Sequence, residues 1–315
     1  MEQRDAVVII GSGLMGSGIA ARSALAGNPT ILVDTDLDFV KSGYNKACQC
    51  IEELEKNNLF SEKTCLQAKR LITVTTCLEE ACGQSKAVIE AITEKLDLKQ
   101  ALFETLDRLL PEWVPIMSNT SGLRITDIAK RTKHPERTMT AHFWFPAHLV
   151  PLVEVVMSDK TDLALAESVT DLLNGWGKAA VLVKKDLPGQ LANRLLQAVI
   201  REAINIVEIG LASPEDVDTA VKMGMGIRMP VWGPLEHIEA VGLDLGLSVQ
   251  QTVLPEISAS KTASPYLESL VNQGHLGQKT NQGFYDWTIK DKDSLAETRN
   301  DFIIHALRFM EARKK

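Results

Sequence analysis

Residues 6–34 read AVVIIGSGLMGSGIAARSALAGNPTILVD: an apolar run, a glycine-rich turn, a stretch of small residues, and a second apolar run that ends on an acid. Ala6 to Ile10 are aliphatic throughout, the pattern of a strand covered on both faces. Gly11, Gly13 and Gly16 follow at the spacing of a pyrophosphate-binding turn. The first glycine permits a tight turn, the second lets backbone N–H groups approach phosphate, and the third lets a helix lie close against the strand. Leu14 and Met15 fall where that helix begins, so its N-terminal N–H groups face the bound negative charge. Asp34 closes the second run, about where an acid accepts a hydrogen bond from a ribose 2′-hydroxyl. A carboxylate there repels a 2′-phosphate, so NAD is expected rather than NADP. A purely structural glycine turn with a loop aspartate is the alternative.

Further apolar runs extend the pattern. ITVTT (72–76), AVIEAI (87–92), VPIMSN (114–119), TMTAHF (138–143), LVEVV (152–156) and AAVLV (179–183) read as strands. Helical segments between several of them point to β-α-β units and a mostly parallel, doubly wound sheet. Residues 37–70 are too long for a loop, and their charge pattern reads as two helices in a hairpin excursion. After Lys184 the texture changes. KKDLPG reads as a linker, and Leu191, Leu195, Val199, Ile206 and Ile209 then recur at helical spacing. Ser213, Pro214 and Asp216 form a helix start: a capping hydroxyl, a proline in the first turn and an acid three residues on. Residues 301–315 look like a closing helix. The expected organisation is an α/β domain over 1–186 and an all-α domain over 187–315.

With 315 residues, two domains are the natural division. Thirty-four basic against forty-one acidic residues give a net charge of −7. That balance argues against nucleic acid or an anionic membrane as partner. The longest uncharged stretch near the start, Ala6 to Ala21, holds four glycines and is too short to span a bilayer. It also follows a net-negative MEQRD rather than a basic leader. A cytoplasmic location is expected. The five cysteines, between Cys48 and Cys82, have no nearby histidine and no zinc spacing. They read as reduced, small apolar residues, with no metal expected.

Polar groups gather where chemistry is expected, at strand ends and helix starts. Asn119, Thr120 and Ser121 follow the fifth run, His142 lies near the end of the sixth, and Asn193 stands early in the helix opening the second domain. Glu154 sits inside LVEVV, and a buried charge needs a partner. Pro146 and Pro151 bound a turn between His142 and Glu154, so adjacent strands can bring imidazole and carboxylate together. Such a pair makes a general base for a hydroxyl proton. From spacing alone, a satisfied core histidine is the commoner arrangement, with Ser121 a turn hydroxyl and Asn193 a helix-start amide.

Taken together, GSGLMGSGIA (11–20), VIEAITEKLDLK (88–99), SNTSGLRIT (118–126), AHFWFP (141–146), PLVEVV (151–156), KDLPGQLANRL (185–195), GPLEHIEAVGLD (233–244) and KTNQGFYDW (279–287) resemble the L-3-hydroxyacyl-CoA dehydrogenase family in its own order. The resemblance implies a Rossmann-like first domain, an all-helical second domain that forms a homodimer, and a place in fatty acid metabolism. It also implies hydride transfer from C3 of an L-3-hydroxy substrate to NAD. By motif, His142 becomes the base and Glu154 its partner, while Ser121 and Asn193 hydrogen-bond the reacting oxygen and a neighbouring carbonyl. Gly11, Gly13, Gly16 and Asp34 hold the cofactor, with Glu94, Lys99 and Asn119 nearer the ribose and nicotinamide.

Three departures bear on the substrate. Where the family commonly has HFFNP, this chain has HFWFP, with Phe145 in place of an amide. EELEKNNLFSEK (52–63) carries four acids and two lysines in the region that holds coenzyme A in relatives, and Leu54 falls near an expected serine. GMGIRMPVWGPLEH is lengthened around Arg228, as in relatives that oxidise free hydroxy acids, such as L-gulonate 3-dehydrogenase and its lens-crystallin cousin. Arg124 and Arg228 are the candidates for gripping a carboxylate, or else solvated surface arginines. The expected substrate is a short-chain L-3-hydroxyacyl-CoA, the alternative a free hydroxy acid. A third possibility is an NAD-binding structural protein without turnover, which the combined presence of Ser121, His142, Glu154 and Asn193 disfavours.

Overall fold

All eight apolar runs form strands of one sheet in the computed structural model, which describes residues 5–312. They are β1 (Ala6–Ile10), β2 (Thr30–Val33), β3 (Ile72–Thr75), β4 (Ser85–Glu90), β5 (Ile116–Ser118), β6 (Thr138–Phe143), β7 (Leu152–Met157) and β8 (Ala179–Val183). The sheet order is β3-β2-β1-β4-β5-β6-β7-β8, parallel throughout except where β7 runs antiparallel to β6. The first six strands thus have the Rossmann order, which reverses between β1 and β4 and leaves a crevice beyond their carboxyl ends.

The helices between the strands are α1 (Leu14–Leu25), the hairpin of α2 (Leu37–Lys56) and α3 (Glu62–Leu71), α4 (Leu78–Gly83), α5 (Leu96–Leu109), the short α6 (Ile125–Ile128) and α7 (Leu163–Gly175). Two apolar layers cover the sheet. Val7 and Ile9 of β1 pack in one, Ala6, Val8 and Ile10 in the other. A strand covered on both faces has no solvent-facing side, which is why β1 shows no alternation.

Asp36 caps α2 by accepting from the N–H groups of Asp38 and Phe39, and Ser61 caps α3 through the N–H of Thr64. The buried stripe of α2 is Val40, Gly43, Ala47, Ile51 and Leu54, at helical spacing. Leu54 is therefore a core residue of the hairpin, 1% exposed, and takes no part in a ligand surface.

The chain divides into two units between Ala192 and Asn193. Among the described residues the second is helical apart from isolated bridges at Gly277–Gln282 and Gln282–Asp286. It holds α8 (Ala192–Glu208), which starts at the boundary, α9 (Pro214–Ala220), a π-helical stretch over Val221–Gly226, α10 (Pro234–Val241), α11 (Leu243–Val253), α12 (Pro265–Asn272) and α13 (Lys292–Ala312). The cap expected at Ser213 is present, its hydroxyl accepting from Asp216 N at 3.1 Å. The closing helix starts earlier than its apolar spacing suggested. Asp291 accepts from the N–H groups of Asp293 and Ser294, each at 3.0 Å, and so nucleates α13 ahead of residue 301. Residues 313–315 of the expected helix lie outside the described residues.

Candidate active site

At the reversal between β1 and β4 lies a cleft of about 430 Å³, lined among others by Gly11, Ser12, Gly13, Asp34, Ala91 and Thr93. Its floor is the glycine turn. Gly11 has φ +100°, and a Cβ there would stand 2.5 Å from the carbonyl oxygen of Ala91. A Cβ on Gly16 would stand 1.8 Å from the Gly11 oxygen, whereas one on Gly13 would meet nothing within 4 Å. The first and third glycines are thus demanded by the protein's own packing, while the second faces open space. Gly13 caps α1 with no side chain on the free N–H groups, and the first turn carries no acid. That terminus suits an anion. Leu14 is exposed on the first turn, and Met15 packs against the core.

Asp34 lies on the wall of this cleft, fixed from one side. Ser12 donates to its Oδ2 through the backbone (2.7 Å) and the hydroxyl (2.6 Å), and Thr35 N donates to Oδ1 at 2.8 Å. Burial would raise its pKa, but these donors outweigh it and hold the carboxyl below its ordinary value. The glycine turn, the uncapped helix start and an ionised acid beside them fit a dinucleotide with an unphosphorylated ribose.

A buried ionic cluster supports the opposite wall. Glu90 ends β4 fully buried, accepting from Ile92 N at 2.7 Å, Lys99 Nζ at 2.6 Å and the Ser118 hydroxyl at 2.7 Å. Lys99, itself 1% exposed, also pairs with Glu94 at 3.2 Å. Glu94 in turn accepts from the Thr120 hydroxyl and from the N–H groups of Ser121 and Gly122, each of these two at 3.2 Å. Burial pushes the Glu94 pKa up, but Thr120 and Lys99 bring it below the ordinary value. Glu94 thus anchors the loop that presents Ser121, and Lys99 acts on the cleft through two carboxylates. Removing one member of a buried pair strands the other charge. Lys99→Met is therefore expected to destabilise the fold by roughly 3–5 kcal/mol, read from the denaturant midpoint. A loss under about 1 kcal/mol would mean that the pair is dispensable.

His142 and Glu154 are direct cross-strand partners in the antiparallel β6–β7 ladder, so their side chains leave the sheet on one face. The imidazole Nδ1 stands 2.8 Å from Glu154 Oε2. Trp144 Nε1 donates to the same oxygen at 3.0 Å, and Leu191 N and Ala192 N donate to Oε1, each at 2.8 Å. Desolvation alone would raise the Glu154 pKa, yet the donors His142, Trp144, Ala192 and Leu191 bring it to about 2. An ionised carboxylate can only accept, so Nδ1 carries the hydrogen, and in the neutral ring the lone pair lies on Nε2. Asn119 links the two sides of the site, its Oδ1 accepting from Phe143 N at 2.8 Å.

Arg124 stands at the N-cap position of α6 without a side-chain cap, its Nε 3.6 Å from Asp186. Asn193 is the second residue of α8 in the second unit. Arg228 belongs to that unit too, its Nε donating to Gly224 O at 3.1 Å. Sequence reasoning named Thr120 among the polar groups after the fifth run, but missed Glu90 and Trp144 as members of these networks. Glu90 carries the signal that exposed Glu154, a single charge inside an apolar run.

Two family models match the chain: 3-hydroxyacyl-CoA dehydrogenase, NAD binding domain, over residues 6–187, and 3-hydroxyacyl-CoA dehydrogenase, C-terminal domain, over 189–287. The chain is 30% identical to 5-formyl-3-hydroxy-2-methylpyridine 4-carboxylate 5-dehydrogenase of Mesorhizobium japonicum, across 98% of this chain and 99% of the relative. It is 36% identical to a probable 3-hydroxybutyryl-CoA dehydrogenase of Bacillus subtilis, across 90% and 98%. Among solved structures, 5-formyl-3-hydroxy-2-methylpyridine 4-carboxylic acid 5-dehydrogenase, described as an NAD+-dependent dismutase, is similar with a TM-score of 0.89 at 28% identity, covering 98% of this chain and 99% of that one.

Proposed function

The chain belongs to the 3-hydroxyacyl-CoA dehydrogenase family, NAD-dependent oxidoreductases acting on CH–OH groups, and from that premise we propose that His142 is the general base of the reaction and Glu154 its partner. The carrying observation is the 2.8 Å contact between Nδ1 and a carboxylate fixed by four donors. It leaves Nε2 as the proton acceptor for a 3-hydroxyl, and Glu154 stabilises the imidazolium that results. NAD, when bound, supplies the hydride acceptor. Ser121 holds the reacting oxygen, on a loop anchored by Glu94, and Asn193 holds a neighbouring carbonyl. Gly11, Gly13, Leu14, Met15, Gly16 and Asp34 bind the cofactor, with Glu94, Lys99 and Asn119 ordering the wall beside its nicotinamide half. Residues 1–186 form the cofactor domain and 187–315 the substrate and dimerisation domain.

The proposed substrate is a short-chain L-3-hydroxyacyl-CoA, oxidised to the 3-oxo compound. A second reading, a free hydroxy carboxylic acid gripped by Arg124 or Arg228, has specific support. A relative that matches this chain from end to end is named for a pyridine carboxylate. On the α2–α3 hairpin, Lys69 is tied to Glu52 at 2.8 Å, and Leu54 offers no polar group. A panel of acetoacetyl-CoA, free acetoacetate and larger 3-oxo acids, followed by NADH absorbance, separates the two. Turnover of the thioester alone supports the first reading, and turnover of free acids alone supports the second. Failure with every member, despite NADH binding, would overturn both.

A homodimer completes the proposal. Leu195, Leu196, Val199 and Ile200 of α8 are exposed within the single chain, and a second copy is the cover the family offers. No helix of the described residues is long and apolar enough to cross a membrane; a cytoplasmic location and a role in fatty acid metabolism belong to the same proposal.

A further inference from the structure

The indole of Trp144 bonds a carboxylate oxygen already engaged by the imidazole. Oε2 of Glu154 takes His142 Nδ1 at 2.8 Å and Trp144 Nε1 at 3.0 Å, while Oε1 takes two backbone N–H groups. The two rings lie side by side, their centroids 5.7 Å apart and their planes tilted by 50°. A phenylalanine, which the HFFNP pattern carries at this position, has no N–H to offer. In this chain the carboxylate therefore has four donors, two on each oxygen.

A carboxylate oxygen shared between two donors gives less of its charge to each. An N–H donor that never titrates competes with the imidazolium for Oε2 and weakens the support given to the protonated ring. We propose that Trp144 is a positioning residue of the dyad: its indole N–H fixes the Glu154 carboxylate and limits how firmly His142 holds a proton, so that the ring stays a usable base at lower pH. The proposal rests on the reading of His142 as the base. Among the described residues, the ion pair of the ring is with Glu154 on β7. The residues flanking the pair in the ladder, Thr140 on β6 with Ser118 of β5 opposite it, and Val181 of β8 opposite Glu154, are uncharged.

The test is Trp144→Phe, which keeps an aromatic body and deletes the donor. In the direction of alcohol oxidation, kcat/KM rises with pH as the base loses its proton. Without the indole N–H, Oε2 supports the imidazolium more strongly, so this acidic limb should move up by about half a pH unit. Turnover one unit below the limb should then fall about threefold, since half a unit is half a decade in the proton equilibrium. KM for NAD should not change. A second measurement covers a variant that folds poorly. In the 15N-tryptophan spectrum of the parent, assigned by a Trp144→Phe spectrum or by a spin label near Phe145, the Trp144 indole signal should follow the titration of His142. It should stop doing so in His142→Gln. A superimposable pH profile in a folded Trp144→Phe, or an indole signal indifferent to His142, overturns the proposal. Full activity in His142→Gln would instead overturn the base reading, leaving the shared oxygen to be judged by the indole signal alone.

Discussion

Replacing His142 by Gln should lower kcat by about 10²–10⁴, the range that a positioned general base contributes, while NADH affinity stays within about twofold of the parent. Glutamine keeps a polar side chain of similar reach and can still donate to Glu154, so the β6–β7 ladder has no reason to open. What it lacks is a nitrogen able to accept and release a proton near neutral pH. Cofactor binding should be spared because the cleft is built on β1, β2 and β4, from Gly11, Asp34 and Ala91 to Thr93, and draws no lining residue from β6. The pair of readouts matters. Loss of turnover with loss of NADH binding would signal collapse of the domain. Loss of turnover with binding intact isolates the proton transfer. Parent-like turnover would remove His142 from the chemistry.

The pairing of His142 with Glu154 was legible for a structural reason. A glutamate inside LVEVV has to be paired, and a proline-bounded turn of that length returns the chain antiparallel, which sets residues 142 and 154 opposite each other. Glu90 offers the same clue in AVIEAI, yet reading that run through to Ile92 places it in mid-strand. β4 in fact ends at Glu90, so its carboxylate stands at the rim, where Lys99 and Ser118 can reach it. Trp144 was illegible because its partner is fixed by reach rather than register. It lies two residues beyond the paired histidine, and only the length of the indole returns its N–H to Glu154. Strand positions, by contrast, could be read directly from sequence, because a parallel strand covered on both faces reads as a short, nearly continuous apolar run. Leu54 marks the limit in the other direction. A family position suggested a ligand surface, but the apolar stripe of α2 turns that residue into the core.

Gly16→Ala should abolish useful cofactor binding, and comparison with Gly13→Ala says why. At Gly16 the added carbon would fall 1.8 Å from the Gly11 carbonyl oxygen, backbone against backbone, with no flexible side chain to yield. Either α1 withdraws from the turn or the turn opens, and both move the free N–H groups at the helix start away from where pyrophosphate must sit. A hydrogen bond to a charged group contributes about 1.5–3 kcal/mol, so misplacing two of them should weaken NADH binding by at least about 100-fold. Overpacking adds a stability loss of roughly 1–3 kcal/mol. At Gly13 nothing lies within 4 Å, so alanine there should leave the denaturant midpoint unchanged. It should still weaken NADH binding, because the methyl occupies space the cofactor needs. Binding measured by fluorescence titration alongside unfolding midpoints separates the two effects. If Gly16→Ala bound NADH normally, or Gly13→Ala bound it as well as the parent, the glycine turn would be a structural corner and the cofactor would have to be held elsewhere.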